Sequence, residues 1–310
     1  MDFQSIESQM IVLFLAMAVG YLIRKLNIMN DSFDATLSRI VLDVTLPCLI
    51  VGSVVTADSL PDISTIGFIF ALSTGANLLV IALAILVPIL IRAPKKTRGI
   101  YSFMVAFGNV GFIGFPVVSA VFGPEAIVYA SILNIPFNLL IFTVGVLFLS
   151  DSSLPFGQRL KTGLANLKSP ALISCLLVIV LAPLNVTHTG VIGDTLMLLG
   201  NVTTPAALLI IGSSMAKAPI LTMIGNWRPY VAVAGRLVIA PLLVFAVFHF
   251  IVPDRFLLGI VVLTAGMPVA TNGTLLCLHY GADFQTMLQG TFISTVLSII
   301  TIPLLALFIL

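Results

Sequence analysis

Residues Gly108-Asn109-Val110-Gly111-Phe112-Ile113-Gly114-Phe115-Pro116 lie within an apolar stretch spanning 98–122. A continuous helix is a poor home for them, since each Gly costs about 1 kcal/mol against Ala and an interior Pro about 3. Three glycines and a proline in nine residues leave two readings, a kinked helix or a broken one. A second stretch, Gly266-Met267-Pro268-Val269-Ala270-Thr271-Asn272-Gly273, interrupts the apolar segment 256–279 in the same manner. Shifting the chain by 158 residues lays it on the first, with Gly114 on Asn272 (272 − 114 = 158). That pairing favours a break in both. Unwound backbone at mid-membrane is tolerated only inside protein or beside a water-filled cavity. Paired Gly/Pro interruptions in two halves of a chain are the best sequence pointer to a transporter's binding site.

The bilayer is the solvent for most of the remainder. Only 8% of the 310 residues are charged and 59% are hydrophobic, whereas a soluble domain carries roughly 25% charged residues. Mean hydropathy is +1.20. A span needs about 20 apolar residues, so this length holds roughly ten to twelve. Apolar runs read against punctuation predict spans at 6–24, 37–57, 64–91, 98–122, 126–149, 169–186, 194–216, 227–251, 256–279 and 285–309. Met1 to Glu7 carry no basic residue, so the first apolar segment is expected to be retained rather than cleaved as a signal peptide.

Loop charges orient these spans. Arg24, Lys25 and Arg39 flank the first loop; Arg92, Lys95, Lys96 and Arg98 fill the third. Arg159, Lys161 and Lys168 fall in the fifth, and Lys217 and Arg228 in the seventh. The even loops hold Asp58, Asp62, Glu125, Asp194 and Asp254, with Arg255 their only Lys or Arg. The positive-inside rule then makes the odd loops cytoplasmic and both termini extracytoplasmic. The polar segment 150–168 reads as a cytoplasmic linker between residues 1–149 and 169–310. Five spans in each half make the second half inverted relative to the first.

The same offset of 158 aligns further features. Asp43-Val44-Thr45-Leu46-Pro47 falls on Asn201-Val202-Thr203-Thr204-Pro205, and Gly67 falls on Gly225. Phe122-Gly123-Pro124-Glu125 falls on Tyr280-Gly281-Ala282-Asp283. The expected fold is therefore an all-α membrane protein of ten transmembrane helices, arranged as two inverted five-helix repeats with helices four and nine broken. The competing reading is the general similarity of apolar helices.

A broken helix exposes free N–H groups where one half starts and free C=O groups where the other ends. Pro116 sits in the first turn of one such half-helix, a favoured place. Thr271 and Asn272 are cap-type residues at the start of the other. Both N-terminal ends would attract an anion. Four polar residues at depth remain open to two readings each. Asp43 serves ion coupling or a structural hydrogen bond near Pro47. Arg236 snorkels to the interface or balances a substrate carboxylate. Asn134 (one turn from Asn138) and Asn201 bond helices together or line a cavity. Cys48, Cys175 and Cys277 lie in separate apolar segments without ligand spacing, and His188, His249 and His279 are scattered. Neither a metal site, a cofactor nor an enzyme is expected.

The 108–116 run followed by Phe122-Gly123-Pro124-Glu125 resembles the fourth-helix signature of the auxin efflux carrier family. That family includes plant auxin carriers and bacterial malate and malonate permeases. Leu46-Pro47, Thr204-Pro205-Ala206-Ala207-Leu208 with Ile211-Gly212, Met267-Pro268, Tyr280-Gly281-Ala282-Asp283 and Ser294-Thr295-Val296-Leu297-Ser298-Ile299-Ile300-Thr301-Ile302-Pro303 also fit. The resemblance implies a ten-helix fold like that of bile-acid symporters and sodium/proton antiporters, with helices four and nine crossing at the substrate site. Asn109, Gly111, Gly114 and Pro116 would line that site, with Pro268 opposite; Thr271 and Asn272 join them through the repeat. The 150–168 segment is short where many plant carriers have a long hydrophilic loop, which turns the expectation toward a small carboxylate.

The function expected is secondary transport of small organic anions across the cell membrane by alternating access. A sodium- or proton-coupled symporter is the alternative within transport, and a membrane-embedded enzyme or receptor the alternative outside it. The expected partners are the organic anion and the lipid bilayer, with a homodimer left open and no nucleic acid.

Overall fold

The computed structural model describes residues 3–57, 60–150, 170–184, 186–187, 190–217 and 226–309. The regular structure among these residues is helical, and the only β-type pairing among them is an isolated antiparallel bridge between Gly108 and Val269. Six helices among them are long and apolar enough to cross a membrane: Asp31–Val55, Ile63–Leu90, Ala126–Leu149, Val191–Ser214, Arg228–Phe248 and Phe284–Ile309. Shorter apolar helices run over Val110–Phe122, Pro170–Leu181 and Arg255–Ala265. The first helix spans Phe3–Lys25. Except for Ser150, the expected linker 150–168 lies outside the described residues, as do Asp58, Gly225 and His188.

The second helix starts at Asp31, six residues before the expected boundary at 37. Asn30 explains the difference: its side chain accepts the Phe33 N–H at 2.9 Å, a helix N-cap that a hydropathy reading overlooks. Asp62 plays a similar part at the helix that follows, accepting the Thr65 N–H at 3.0 Å. Hydrogen bonds from the Thr65 side chain and backbone hold its carboxyl below the usual carboxylate range.

The chain forms two compact units, and each draws on both halves of the sequence. One comprises Met1–Leu72, Gly111–Ile135 and Lys168–Ala218; the other comprises Ser73–Val110, Pro136–Leu167 and Pro219–Leu310. Lipid tails are as apolar as Leu, so helices in a membrane associate through close packing rather than through a hydrophobic gain. Small residues permit that approach in the first unit. A Cβ on Gly212 would strike the Met17 carbonyl oxygen, and one on Gly20 would strike that of Leu209, so helices Phe3–Lys25 and Thr203–Lys217 touch main chain to main chain. A Cβ on Gly200 would come within 2.7 Å of the Leu49 Cα. Next to this contact Thr203 donates to Thr45 across 2.9 Å, joining two residues exactly 158 apart in the chain.

A partly buried ion pair lies in the first unit. Asp34 is 6% exposed; it accepts from Ser213 Oγ at 2.8 Å and faces Arg24 Nη1 at 3.4 Å. The same guanidinium reaches the exposed Asp31 at 2.9 Å. Asp34 belongs to the turn that Asn30 adds to the helix, which a boundary at 37 places outside it.

The second unit is built round the fully buried Tyr101, Phe103 and Phe107. Phe107 packs at ring-centroid distances of 5.1 Å from Phe103, 5.9 Å from Phe137 and 6.5 Å from Phe148. Gly290 leaves room for Met104, and Gly273 for Phe103. At one end of the unit Asn226 donates to the Tyr101 hydroxyl at 3.2 Å, and Arg228 donates to the Ile91 carbonyl at 3.3 Å.

Replacing Gly212 by Val should separate two helices that have no slack. Over-packing of this kind costs about 1–3 kcal/mol, so the melting temperature in detergent is expected to fall by several degrees. Gly67→Ala is the control: a Cβ there meets nothing within 4 Å, and Ala favours a helix interior over Gly by up to about 1 kcal/mol, so this variant should melt no lower than the parent.

Candidate functional site

The helix Lys95–Ala106 ends at Phe107, whose backbone is extended at φ −118°, ψ 118°. Gly108 and Asn109 continue without helical form, and a π-helical turn, Val110–Gly114, leads into the helix Phe115–Phe122. In the second stretch the helix Arg255–Ala265 ends at Gly266, and the chain resumes as a helix only at Asn272. Pro268 enforces this stop: it offers no N–H and pushes Met267 out of the α region.

The two interruptions satisfy one another. Asn109 N–H donates to the Pro268 carbonyl at 2.6 Å, and Ala270 N–H donates to that of Phe107 at 3.0 Å. Between them Val269 N–H donates to the Ser294 hydroxyl at 3.0 Å, and that hydroxyl itself donates to the Thr291 carbonyl at 2.9 Å. Buried main-chain groups need such partners, and no water supplies them in a bilayer's core.

Arg236 completes the arrangement. It lies in the π-helical turn Gly235–Ile239 and is 2% exposed. Its Nε donates to Met267 O at 2.9 Å, and Nη1 to Ala106 O at 3.0 Å and Val105 O at 3.3 Å. Nη2 donates to Thr264 O at 3.3 Å. Val105 and Ala106 are the last two residues of one broken helix, and Thr264 lies in the last turn of the other. Carbonyls at helix C-termini lack intrahelical partners and carry the negative end of the helix dipole. A guanidinium with five donors in a planar fork suits them. Gly108 is required here, since a Cβ on it would collide with Arg236 Nη2 and lie 3.0 Å from Met267 O. Arg236 thus does not snorkel. It is bonded to main-chain carbonyls, a partner that neither sequence reading named.

Four of the expected site residues belong to this unit. Asn109 is 5% exposed, Pro268 is buried beside it, and Thr271 and Asn272 are half-buried where the next helix begins. Thr271 makes no side-chain cap; its carbonyl accepts the Thr274 hydroxyl at 2.7 Å. Gly111, Gly114 and Pro116 belong to the other unit. Pro116 is buried in the first turn of Phe115–Phe122, Gly114 precedes that helix, and Gly111 is half-buried with open space where a Cβ would stand.

The remaining candidates lie in the first unit too. Asp43 is exposed, in the π-helical turn Val41–Thr45. Asn201 is exposed in the turn between helices Val191–Gly200 and Thr203–Lys217. Asn134 is buried, and its amide donates to Cys175 Sγ at 3.7 Å, which ties two helices together. Among the described residues, no three His, Cys, Asp or Glu side chains converge as metal ligands would.

Comparison with known proteins agrees with a transport role. A family model described as "Membrane transport protein" matches residues 5–159 and 158–306. An uncharacterized transporter of Methanothermobacter thermautotrophicus is 27% identical over 317 residues, which cover 97% of this chain and 97% of that protein.

Ser294 bears directly on the second interruption. Ser294→Ala strands a buried N–H, a loss of about 1–3 kcal/mol, and should lower the melting temperature. Ser294→Thr keeps the hydroxyl and should recover much of the difference. Equal melting of all three proteins would show that Val269 needs no such partner.

Proposed function

This chain belongs to the membrane transport protein family, that of the auxin efflux carriers, and we propose that it carries small organic anions by alternating access. The substrates would be carboxylates of the malate or malonate kind, or auxin-like acids, crossing the cytoplasmic membrane. The observation that carries this reading is the pair of interruptions bonded to each other through Asn109 and Pro268. Broken helices in transporters supply the ends at which substrates and ions are held.

The sign of the charge follows from which ends are occupied. Arg236 covers the carbonyl ends at Ala106 and Thr264. The first turn of the helix Asn272–Tyr280 carries no acidic residue. Helix N-termini favour anions, and the amides of Asn109 and Asn272 would donate to a carboxylate. Pro268 and Thr271 would shape the same place, while Gly111, Gly114 and Pro116 enter on the sequence alone.

Ten helices in two inverted repeats, with helices four and nine as the crossovers, remain the topology we propose. Two features support it. The bonded pair Thr45 and Thr203 are repeat equivalents at the offset of 158, and a residue meets its own equivalent only near a pseudo-two-fold axis. Gly123 and Gly281 (281 − 123 = 158) both end helices with positive φ, at 93° and 68°. With basic residues in the odd loops, both termini would face away from the cytoplasm.

Uptake of labelled malate and malonate into proteoliposomes tests the assignment. Asn109→Ala and Pro116→Ala are each expected to reduce uptake at least tenfold, equivalent to about 1.4 kcal/mol, while both variants still insert and purify. Normal uptake by both would remove these residues from the site.

A further inference from the structure

Two helix C-termini meet at one point in the second unit. Each brings roughly half an elementary negative charge, so together they present about one. The oxygens of Val105, Ala106, Thr264 and Met267 all lie within 3.3 Å of the guanidinium of Arg236. Among the described residues no carboxylate pairs with Arg236, since the ion pairs there are those of Arg24. The charge balance is therefore between one side chain and main-chain dipoles. A nest of unwound carbonyls and half-helix C-terminal ends is also what coordinates an exchangeable alkali cation in cation-coupled carriers. The nest here is full, and Gly108 is shaped to keep it so, because any Cβ at 108 would evict Nη2.

We propose that Arg236 is a resident cation: its guanidinium permanently occupies the carbonyl nest where an alkali cation would otherwise bind. A charge tethered to the protein neither enters from one side nor leaves on the other. It compensates the broken helices in every state of the cycle, and no sodium gradient is coupled through this nest. Truncating the side chain should then turn an intramolecular cation site into an open one, selective for small cations.

The inference builds on the transport reading, but its test needs no substrate, so the two fail independently. Purified full-length protein is melted in sodium chloride, potassium chloride and choline chloride at equal ionic strength, with and without methylguanidinium at sub-denaturing concentration. The parent protein should melt at one temperature in all of them. Arg236→Ala should melt on the order of 10 °C lower in choline and regain most of that loss with methylguanidinium or sodium, because a ligand that binds only the folded state raises its stability. A merely space-filling arginine would leave the variant equally unstable in every salt, and that result overturns the proposal. Stabilisation of the parent by sodium would overturn it as well. Arg236→Lys keeps the charge with fewer donors and decides the matter should the alanine variant not purify. It is expected to melt between the two and to ignore sodium, and a sodium response from it would refute a resident cation.

Discussion

A helix that stops inside a membrane frees amides and carbonyls that no water can satisfy, and finding them partners organises the second compact unit. Phe107 and Asn109 trade hydrogen bonds with Ala270 and Pro268. Ser294 takes the amide left between them, and Arg236 gathers the carbonyls at the two helix ends. Much nearby packing serves the same end. Gly108 exists to admit a guanidinium, and the buried rings of Phe103 and Phe107 hold the first helix end against its neighbours.

The first unit solves a different problem. There glycines bring main chains into direct contact at Gly20, Gly200 and Gly212. Its buried charge, Asp34, is met by a cation and a hydroxyl. A partly buried ion pair of this kind contributes little net stability against its desolvation. What it adds is a tie across the chain, since Ser213 lies 179 residues from the Asp34 it bonds. Asp34 is thus met by other side chains, whereas Arg236 is met by the backbone.

How far the sequence could be read depended on where each signal resides. Glycine and proline alter the local energetics of a helix, so 108–116 and 266–273 stood out by composition, and their match at the offset of 158 favoured a break over a kink. Hydropathy placed the apolar helices but misjudged the start of Asp31–Val55, because a cap depends on one Asn rather than on a window average. Asn134 was legible as a residue that bonds helices, though its partner Cys175 was not. Arg236 was legible as costly and misread as to its partner, the two readings having looked to the interface and to a substrate. Intramembrane charges also pair with backbone carbonyls, and that was the signal overlooked.

The sequence by itself determined that the bilayer is the solvent, where the apolar segments run and where two of them must break. The first two are local properties of composition; the third adds a comparison of the chain with itself at the offset of 158. Only the tertiary structure decided what the broken ends bind. Arg236 finds Val105 and Ala106 across 131 and 130 residues of chain, and nothing in those two side chains marks them as its partners. Every residue carries the same carbonyl, so an acceptor on the main chain leaves no trace in the letters and is chosen by the fold alone.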